Sequence, residues 1–403
     1  MFGMRNYRLI DMVKKNHVFY TLITCLSLFL LSFVFTGCNT KKTPKELFDE
    51  YRSGVVLILN QYYFRMKLPN DQYMYFSDFD SNGDLTFYTT PQEIKNKKAL
   101  MFGSGFFIDS KGTIMTNRHI VSPEIDKIRV KNQLNNLLES LKNYYNLQLE
   151  QLQQQYADFE NQRSEYAYND DEGNTYYDPN VISQIDNQES GLEYKFDSLK
   201  NDRDRIMDGN LSLEQLDIEP VCEIGIAYDG TFVTKINDFF EGNGCVVIKV
   251  SNKQDVDLAL IQLRNQTTPG NIKAFDVYQR NEGQNLLQDA QKLLFGNPKK
   301  KTLEIDQELY MIGYNDGPVL ANTKQGIRVQ MTSGKITQLP DGERLTYSIP
   351  AIAGSSGSPV IDKDGHLVAV NFAGLTTGDN FNFGIPLNKI RAFLRNYQIA
   401  FSR

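Results

Sequence analysis

The sequence predicts an all-β protein that carries one inserted α-helical antiparallel hairpin. Three observations predict it: many short apolar runs punctuated by glycine turns, a single long polar stretch with helical spacing, and a helix-patterned segment that closes the chain. The 403 residues are 41% hydrophobic and 23% charged, which is enough apolar material for a sizeable core. A formal net charge of -6 gives no general attraction to phosphate backbones, so nucleic acid is not an expected partner.

The N-terminus comes first. Lys14 and Lys15 precede an apolar run from Val18 to Phe35, followed by Thr36-Gly37-Cys38. A basic segment, an apolar segment and a small residue before the cut describe a signal peptide. Its ending resembles the lipobox of bacterial lipoproteins, with Phe35 where leucine is usual, and this makes Cys38 the expected lipidated residue. The competing reading is an uncleaved anchor, because about 18 residues approach the minimum for a membrane span. Either way the rest of the chain is expected in the cell envelope, on the periplasmic or surface face of a bacterial membrane. Residues 1–37 are then the leader and 38–45 a tether.

Strand-like segments follow. Val55 to Leu59 reads as a buried strand, and Tyr73 to Phe87 as a hairpin about the turn Asp80-Ser81-Asn82-Gly83. That turn matches the start of an EF-hand loop, but Thr89 stands where the bidentate glutamate belongs, so no metal site is expected. Further strands are expected at Gly105–Asp109, Thr113–Asn117, Lys127–Val130, Cys222–Tyr228, Cys245–Val250, Leu258–Leu263, Leu309–Ile312, Ile327–Met331, Ser358–Ile361 and Leu367–Phe372, with a helix from Leu387 to Tyr397.

Residues 131–219 break the pattern. Leu134, Leu138, Leu141, Tyr145, Leu149, Leu152, Tyr156 and Phe159 recur every three or four residues, close to the 3.6-residue helical period. Ile182, Ile185, Leu192, Phe196, Leu199 and Ile206 form a second stripe beyond the polar loop around Asp170–Asn174. A coiled-coil-like hairpin whose stripes bury each other is the simplest structure. The β domain is then discontinuous, 46–130 and 220–403.

Three local motifs carry chemistry. Gly103-Ser104-Gly105-Phe106-Phe107-Ile108 and Gly112-Thr113-Ile114-Met115-Thr116-Asn117-Arg118-His119 read as strand, turn, strand and a histidine at the exit. Asp255-Val256-Asp257-Leu258-Ala259-Leu260-Ile261 places an aspartate at the start of an apolar strand. Gly354-Ser355-Ser356-Gly357-Ser358-Pro359-Val360 is a glycine-flanked serine turn. Of three histidines, His17 lies in the leader and His366 in an Asp-Lys-Asp-Gly turn, which leaves His119 as the candidate base. A serine hydroxyl needs such a base to become nucleophilic, and a carboxylate to fix the imidazole tautomer.

In that order the motifs resemble the trypsin-like serine proteases, especially the HtrA-type and glutamyl endopeptidase branches, over about residues 50–130 and 220–400. The resemblance implies a two-barrel chymotrypsin-like fold and a catalytic triad of His119, Asp257 and Ser356. It implies an oxyanion hole from the N–H groups of Gly354 and Ser356, and no cofactor. His119 and Asp257 lie 138 residues apart, far more than is usual in this family, so the helical hairpin is spliced into a surface connection of the first barrel. Protein or peptide is the implied substrate. Asn371, Phe372, Ala373 and Gly374 are the expected substrate-binding strand. Asn371 stands where the glutamyl branch has a histidine, and Ser348–Ala353 carries no charge, so the residue before the scissile bond is expected to be uncharged. Cys222 and Cys245 could pair in an oxidising compartment. The alternative function is a catalytically inactive, protease-like scaffold lipoprotein acting through the hairpin, which in either case could hold a protein partner.

Overall fold

The computed structural model describes residues 42–68, 71–207, 217–277, 303–338, 341–374 and 382–401. The expected leader and the first half of the tether, Cys38 included, lie outside them. Among the described residues no helix is long and apolar enough to cross a membrane.

The first helix, α1 (Pro44–Tyr51), opens on a capping box in which Thr43 and Glu46 satisfy each other's backbone N–H groups. Strand β1 (Val55–Lys67) follows. Its first six residues are buried without alternation. Val56 and Ile58 fill the inside of the first barrel, whereas Val55, Leu57 and Leu59 face a second apolar layer shared with the other barrel. A strand covered on both faces reads as a continuous apolar run, which is why this one is so plain in sequence. It pairs with β2 (Tyr73–Phe76) and β3 (Ala99–Phe107), and β3 pairs with β4 (Thr113–Thr116). After the hairpin, β7 (Asp217–Tyr228), β8 (Gly244–Val250) and β9 (Ala259–Leu263) complete the ring β1-β3-β4-β9-β8-β7, which closes because β7 pairs back onto β1.

The second barrel is the closed ring β10 (Glu308–Gly313), β13 (Gln330–Gln338), β14 (Leu345–Tyr347), β17 (Asn382–Pro386), β16 (Leu367–Gly374) and β15 (Pro359–Asp362). A two-residue ladder, β11 (Asn322–Thr323) with β12 (Gly326–Ile327), precedes β13. The expected strand Ile327–Met331 is therefore split between β12 and β13. The closing helix, α5 (Leu387–Phe401), packs Ile390 and Leu394 into the layer between the barrels. The all-β two-barrel expectation holds, with helices added at both ends and in the insertion.

Two local expectations change. Lys127–Val130 is not a strand but the first turn of helix α3 (Lys127–Glu165), because Asp126 Oδ1 accepts the N–H groups of Ile128 and Arg129 and starts a helix there. The aromatic segment from Tyr73 does not form its own hairpin. It pairs with β1 instead, and meets the next segment through the Tyr75–Tyr88 bridge and the edge contact of Phe76 with Phe87. Cys222 and Cys245 are free thiols, and Cys245 lies opposite Ile224 rather than Cys222.

The short helix α2 (Arg118–Val121) precedes α3, and α3 pairs with α4 (Pro179–Met207) in the expected antiparallel hairpin. Leu149, Leu152 and Ile185 are buried between them, and Arg163 bridges Asp186 and Glu189. The tip is a small ladder, β5 (Ala167–Asn169) with β6 (Thr175–Tyr177). The base is part of the core. β1 and β7 run on as a ribbon beyond the barrel to Lys67 and Asp217, and Val130 and Leu134 pack there against Tyr62, Phe64, Met66, Phe76 and Ile218. Arg129 lies 3.9 Å over Phe79 and donates to the Gly83 carbonyl at 2.6 Å. The Asp80 turn therefore serves as a socket for the hairpin base.

The excision that preserves the barrel follows from this. Removing residues 142–199 behind a short turn should leave a fold melting within a few degrees of wild type, and should lower but not abolish its helical circular dichroism, because α1, α5 and the base of the hairpin remain. Removing 131–219 takes Leu134 and Ile218 as well, and should cost about 2–5 kcal/mol for each large apolar side chain taken out of the core. Equal melting temperatures for the two deletions would refute a structural base.

Candidate active site

The antiparallel pairing of β4 with β9 sets Thr116 opposite Ala259. The residues just past the end of β4 therefore meet those just before the start of β9, and this brings His119 to Asp257. Asp257 Oδ2 lies 2.6 Å from His119 Nδ1, and Asp257 Oδ1 accepts the His119 backbone N–H at 3.0 Å. Asn117, fully buried, donates from Nδ2 to the Asp257 carbonyl at 2.7 Å and fixes the backbone of the aspartate. The imidazole is 41% exposed and the carboxylate 17%. Burial acts to raise the Asp257 carboxyl, but the hydrogen bonds and charge of His119 outweigh it and hold the group below the usual aspartate range. A carboxylate in this position keeps the proton on Nδ1 and leaves Nε2 free to act as a base.

A depressed carboxyl stabilises the fold above the unfolded-state value of an aspartate. That contribution is lost as pH falls through the folded-state value. Asp257→Asn should therefore narrow its stability gap to wild type as pH drops from 7 to about 3, read by urea titration. At pH 7 the same variant should lose about 10⁴-fold in turnover, because the amide favours the wrong tautomer.

Ser356 lies in the loop between β14 and β15. Ile352–Ser355 forms a turn closed by Ser355 N–H to Ile352 carbonyl at 3.0 Å, with Gly354 at φ +88° as the third residue, a type II turn that requires glycine there. Ser104 of β3 donates its N–H to the Ser356 carbonyl at 2.8 Å. A Cβ on Gly357 would stand 2.0 Å from the Ser104 carbonyl and 2.6 Å from Thr116 Oγ1. The serine turn of the second barrel thus lies against β3 and β4 of the first, three residues before His119. The N–H groups of Gly354 and Ser356 donate to no acceptor among the described residues.

Asn371 does not serve as the expected substrate contact. It is 1% exposed, its Oδ1 accepts Tyr347 Oη at 2.8 Å, and its Nδ2 donates to the Ser355 carbonyl at 3.1 Å. The amide is thus fully engaged within the protein. Phe372 is half-buried, tilted toward Phe383 at 6.4 Å, and Ala373 and Gly374 continue β16. Two positions escaped sequence reasoning, Asn117 and Ser104. Both are small polar residues at the ends or in the middle of apolar strands, where burial demands a hydrogen-bond partner, and that signal was available. Asp362, Asp364 and His366 bring ligand atoms within 4.8 Å of one another, but Asp362 Oδ1 already accepts the N–H groups of Asp364 and His366 in a hairpin turn.

The comparisons with known proteins bear on the same regions. A family model described as a trypsin-like peptidase domain matches residues 226–370, a span that holds Asp257 and Ser356. No curated protein matches the chain. Among solved structures the chain is similar to the serine endoprotease from Yersinia pestis at 10% identity and a TM-score of 0.39, covering 90% of this chain and 68% of that one. The matched segment runs from the last strands of the first closed barrel into the second, so the chain carries a trypsin-like peptidase domain over residues 226–370.

Proposed function

We propose that this protease is an endopeptidase that cleaves protein or peptide chains through His119, Asp257 and Ser356, by way of an acyl-enzyme. The observation that carries the reading is the two-point grip of Asp257 on His119, through ring and backbone at once. In this reading His119 Nε2 takes the proton of Ser356 Oγ as the oxygen attacks the scissile carbonyl, then returns it to the leaving amine. The N–H groups of Gly354 and Ser356 receive the charge that develops on the carbonyl oxygen. Fluorophosphonate labelling of the purified chain, with the adduct located by mass spectrometry, tests this. The adduct is expected on Ser356, and an adduct on Ser355 or Ser358, or none, refutes the assignment.

The specificity belongs to the same reading. Ser348–Ala353 offers no charge to the residue before the scissile bond, and the polar groups nearby, Tyr347, Asn371 and Asn382, are buried and neutral. An unpaired substrate charge would cost several kcal/mol there, on the order of a buried polar group left unsatisfied. A peptide library should show cleavage after small or aliphatic residues, and dominant cleavage after Glu, Lys or Arg would defeat the expectation. The protein is further proposed to be lipid-anchored through Cys38 in the cell envelope, which radiolabelled-lipid incorporation that persists in Cys38→Ala would overturn. The hairpin tip, with Tyr166, Tyr168, Tyr176 and Tyr177 exposed beside Asp170, Asp171 and Glu172, supports a protein partner there.

A further inference from the structure

Three consecutive carbonyls of the turn that carries Ser356 are each held by a donor from a different element. Asp316 N–H donates to the Ala353 carbonyl at 2.5 Å. Ser104 Oγ donates to the Gly354 carbonyl at 2.9 Å. Asn371 Nδ2 and the Ser358 N–H both donate to the Ser355 carbonyl, each at 3.1 Å. In a trans peptide the carbonyl and the next N–H point in opposite directions. Holding the Ala353 carbonyl therefore aims the Gly354 N–H away from Asp316. Holding the Ser355 carbonyl aims the Ser356 N–H away from Asn371. The peptide between these two is held by both ends, through Ser104 on its carbonyl and the Ile352 carbonyl on its N–H.

Ser104 and Asn371 are themselves fixed. The single hydroxyl proton of Ser104 goes to Gly354, while its oxygen accepts the Tyr314 N–H at 2.9 Å. Ser104 is fully buried, and its own N–H holds the Ser356 carbonyl. The Tyr347 hydroxyl on Oδ1 settles which way the Asn371 amide faces, so that Nδ2 meets Ser355. One residue belongs to the first barrel and the other to the second, and the turn is held between them.

We propose that Ser104 and Asn371 are positioning residues that preset the Gly354 and Ser356 N–H groups for the oxyanion. The inference rests on the reading of Ser356 as nucleophile. Neither side chain reaches substrate. Asn371 acts through the carbonyl of the peptide that carries the Ser356 N–H, and Ser104 acts through the carbonyl of the intervening Gly354–Ser355 peptide, which joins the two donor peptides and fixes the angle between their N–H groups. That charge exists only in the tetrahedral state, so the loss falls on kcat and not on ground-state binding.

The test uses the full chain with Ser104→Ala, Ser104→Cys and Asn371→Asp. Each is assayed for kcat and KM on a peptide that wild type cleaves. Affinity is measured for a peptide aldehyde, which forms a tetrahedral adduct, and for the matching peptide alcohol, which cannot. Ser104→Ala and Asn371→Asp should lower kcat by about 10- to 100-fold and weaken the aldehyde by the same factor, with KM and alcohol affinity within about twofold. Ser104→Cys keeps a donor in place and should lie between alanine and wild type. Folded variants with wild-type kcat and aldehyde affinity overturn the positioning role, and so does an equal loss for aldehyde and alcohol. If Ser104→Ala does not fold, Ser104→Cys and Asn371→Asp decide on the same readouts. A wild-type chain that neither cleaves peptides nor takes a fluorophosphonate overturns the nucleophile itself, a result distinct from active wild type with unaffected variants.

Discussion

Ser356→Ala is expected to lower peptide hydrolysis by at least about 10⁴-fold while leaving the melting temperature within a degree or two of wild type. In the proposed mechanism the Ser356 hydroxyl supplies the attacking oxygen, and the neighbouring serines are engaged or buried. Ser355 Oγ donates to the Ile352 carbonyl at 2.6 Å and also accepts from Asn371, and Ser358 is fully buried. His119→Ala should cost a similar factor, because an unassisted hydroxyl keeps its proton. The double variant should then be little worse than either single one, since each removes a member of one machine. Losses that multiply in the double variant would mean that the two residues do not act together. A wild-type chain with no hydrolysis to lose would favour the scaffold reading.

Gly357→Ala is expected to damage both fold and activity. The residue sits at φ +86°, where an added Cβ costs about 1–2 kcal/mol in any setting. Here the Cβ would also stand 2.0 Å from the Ser104 carbonyl, a backbone atom that cannot rotate away. Relief requires the serine turn and β3 to separate, which adds about 1–3 kcal/mol of overpacking. Together these should lower the melting temperature by roughly 5–15 °C and turnover by more than about 100-fold. Gly342→Ala is the matched control. Its φ is +91°, but nothing lies within 4 Å of its Cβ position, so only the backbone penalty should appear. Equal melting losses for the two variants would show that the contact between barrels is not what the glycine protects.

How much was legible in the sequence varied with how local the cause was. The buried run Val55–Leu59, the apolar stripes of the hairpin and the glycine-flanked serine each report their own neighbourhood, and each was readable. β14 and β17 were not recognised. Leu345–Tyr347 is too short for an alternation to show, and Asn382 and Gly384 interrupt the apolar pattern of the other strand. Lys127–Val130 has the composition of a strand, and a single capping aspartate decided for helix. Asn371 was misread as a substrate contact because its fate depends on Tyr347 and Ser355, partners contributed by other strands and loops. The helical base was placed outside the β domain for the same reason, since only the fold reveals that β1 and β7 run on far enough to meet it.

The hairpin also sets a distance. α3 has 39 residues, about 58 Å of helix at 1.5 Å per residue, and it is clamped at one end only, by Arg129, Val130 and Leu134. Such a rod behaves as a ruler. For the partner proposed at the tyrosines of the tip, the length of the rod corresponds to about 17 residues of extended chain. On the proposed reading, a partner held at the tip would be cut along a loose tail whose reach the rod defines. Shortening α3 and α4 by matched whole turns should then move the cut site along the tail by about 1.6 residues per turn.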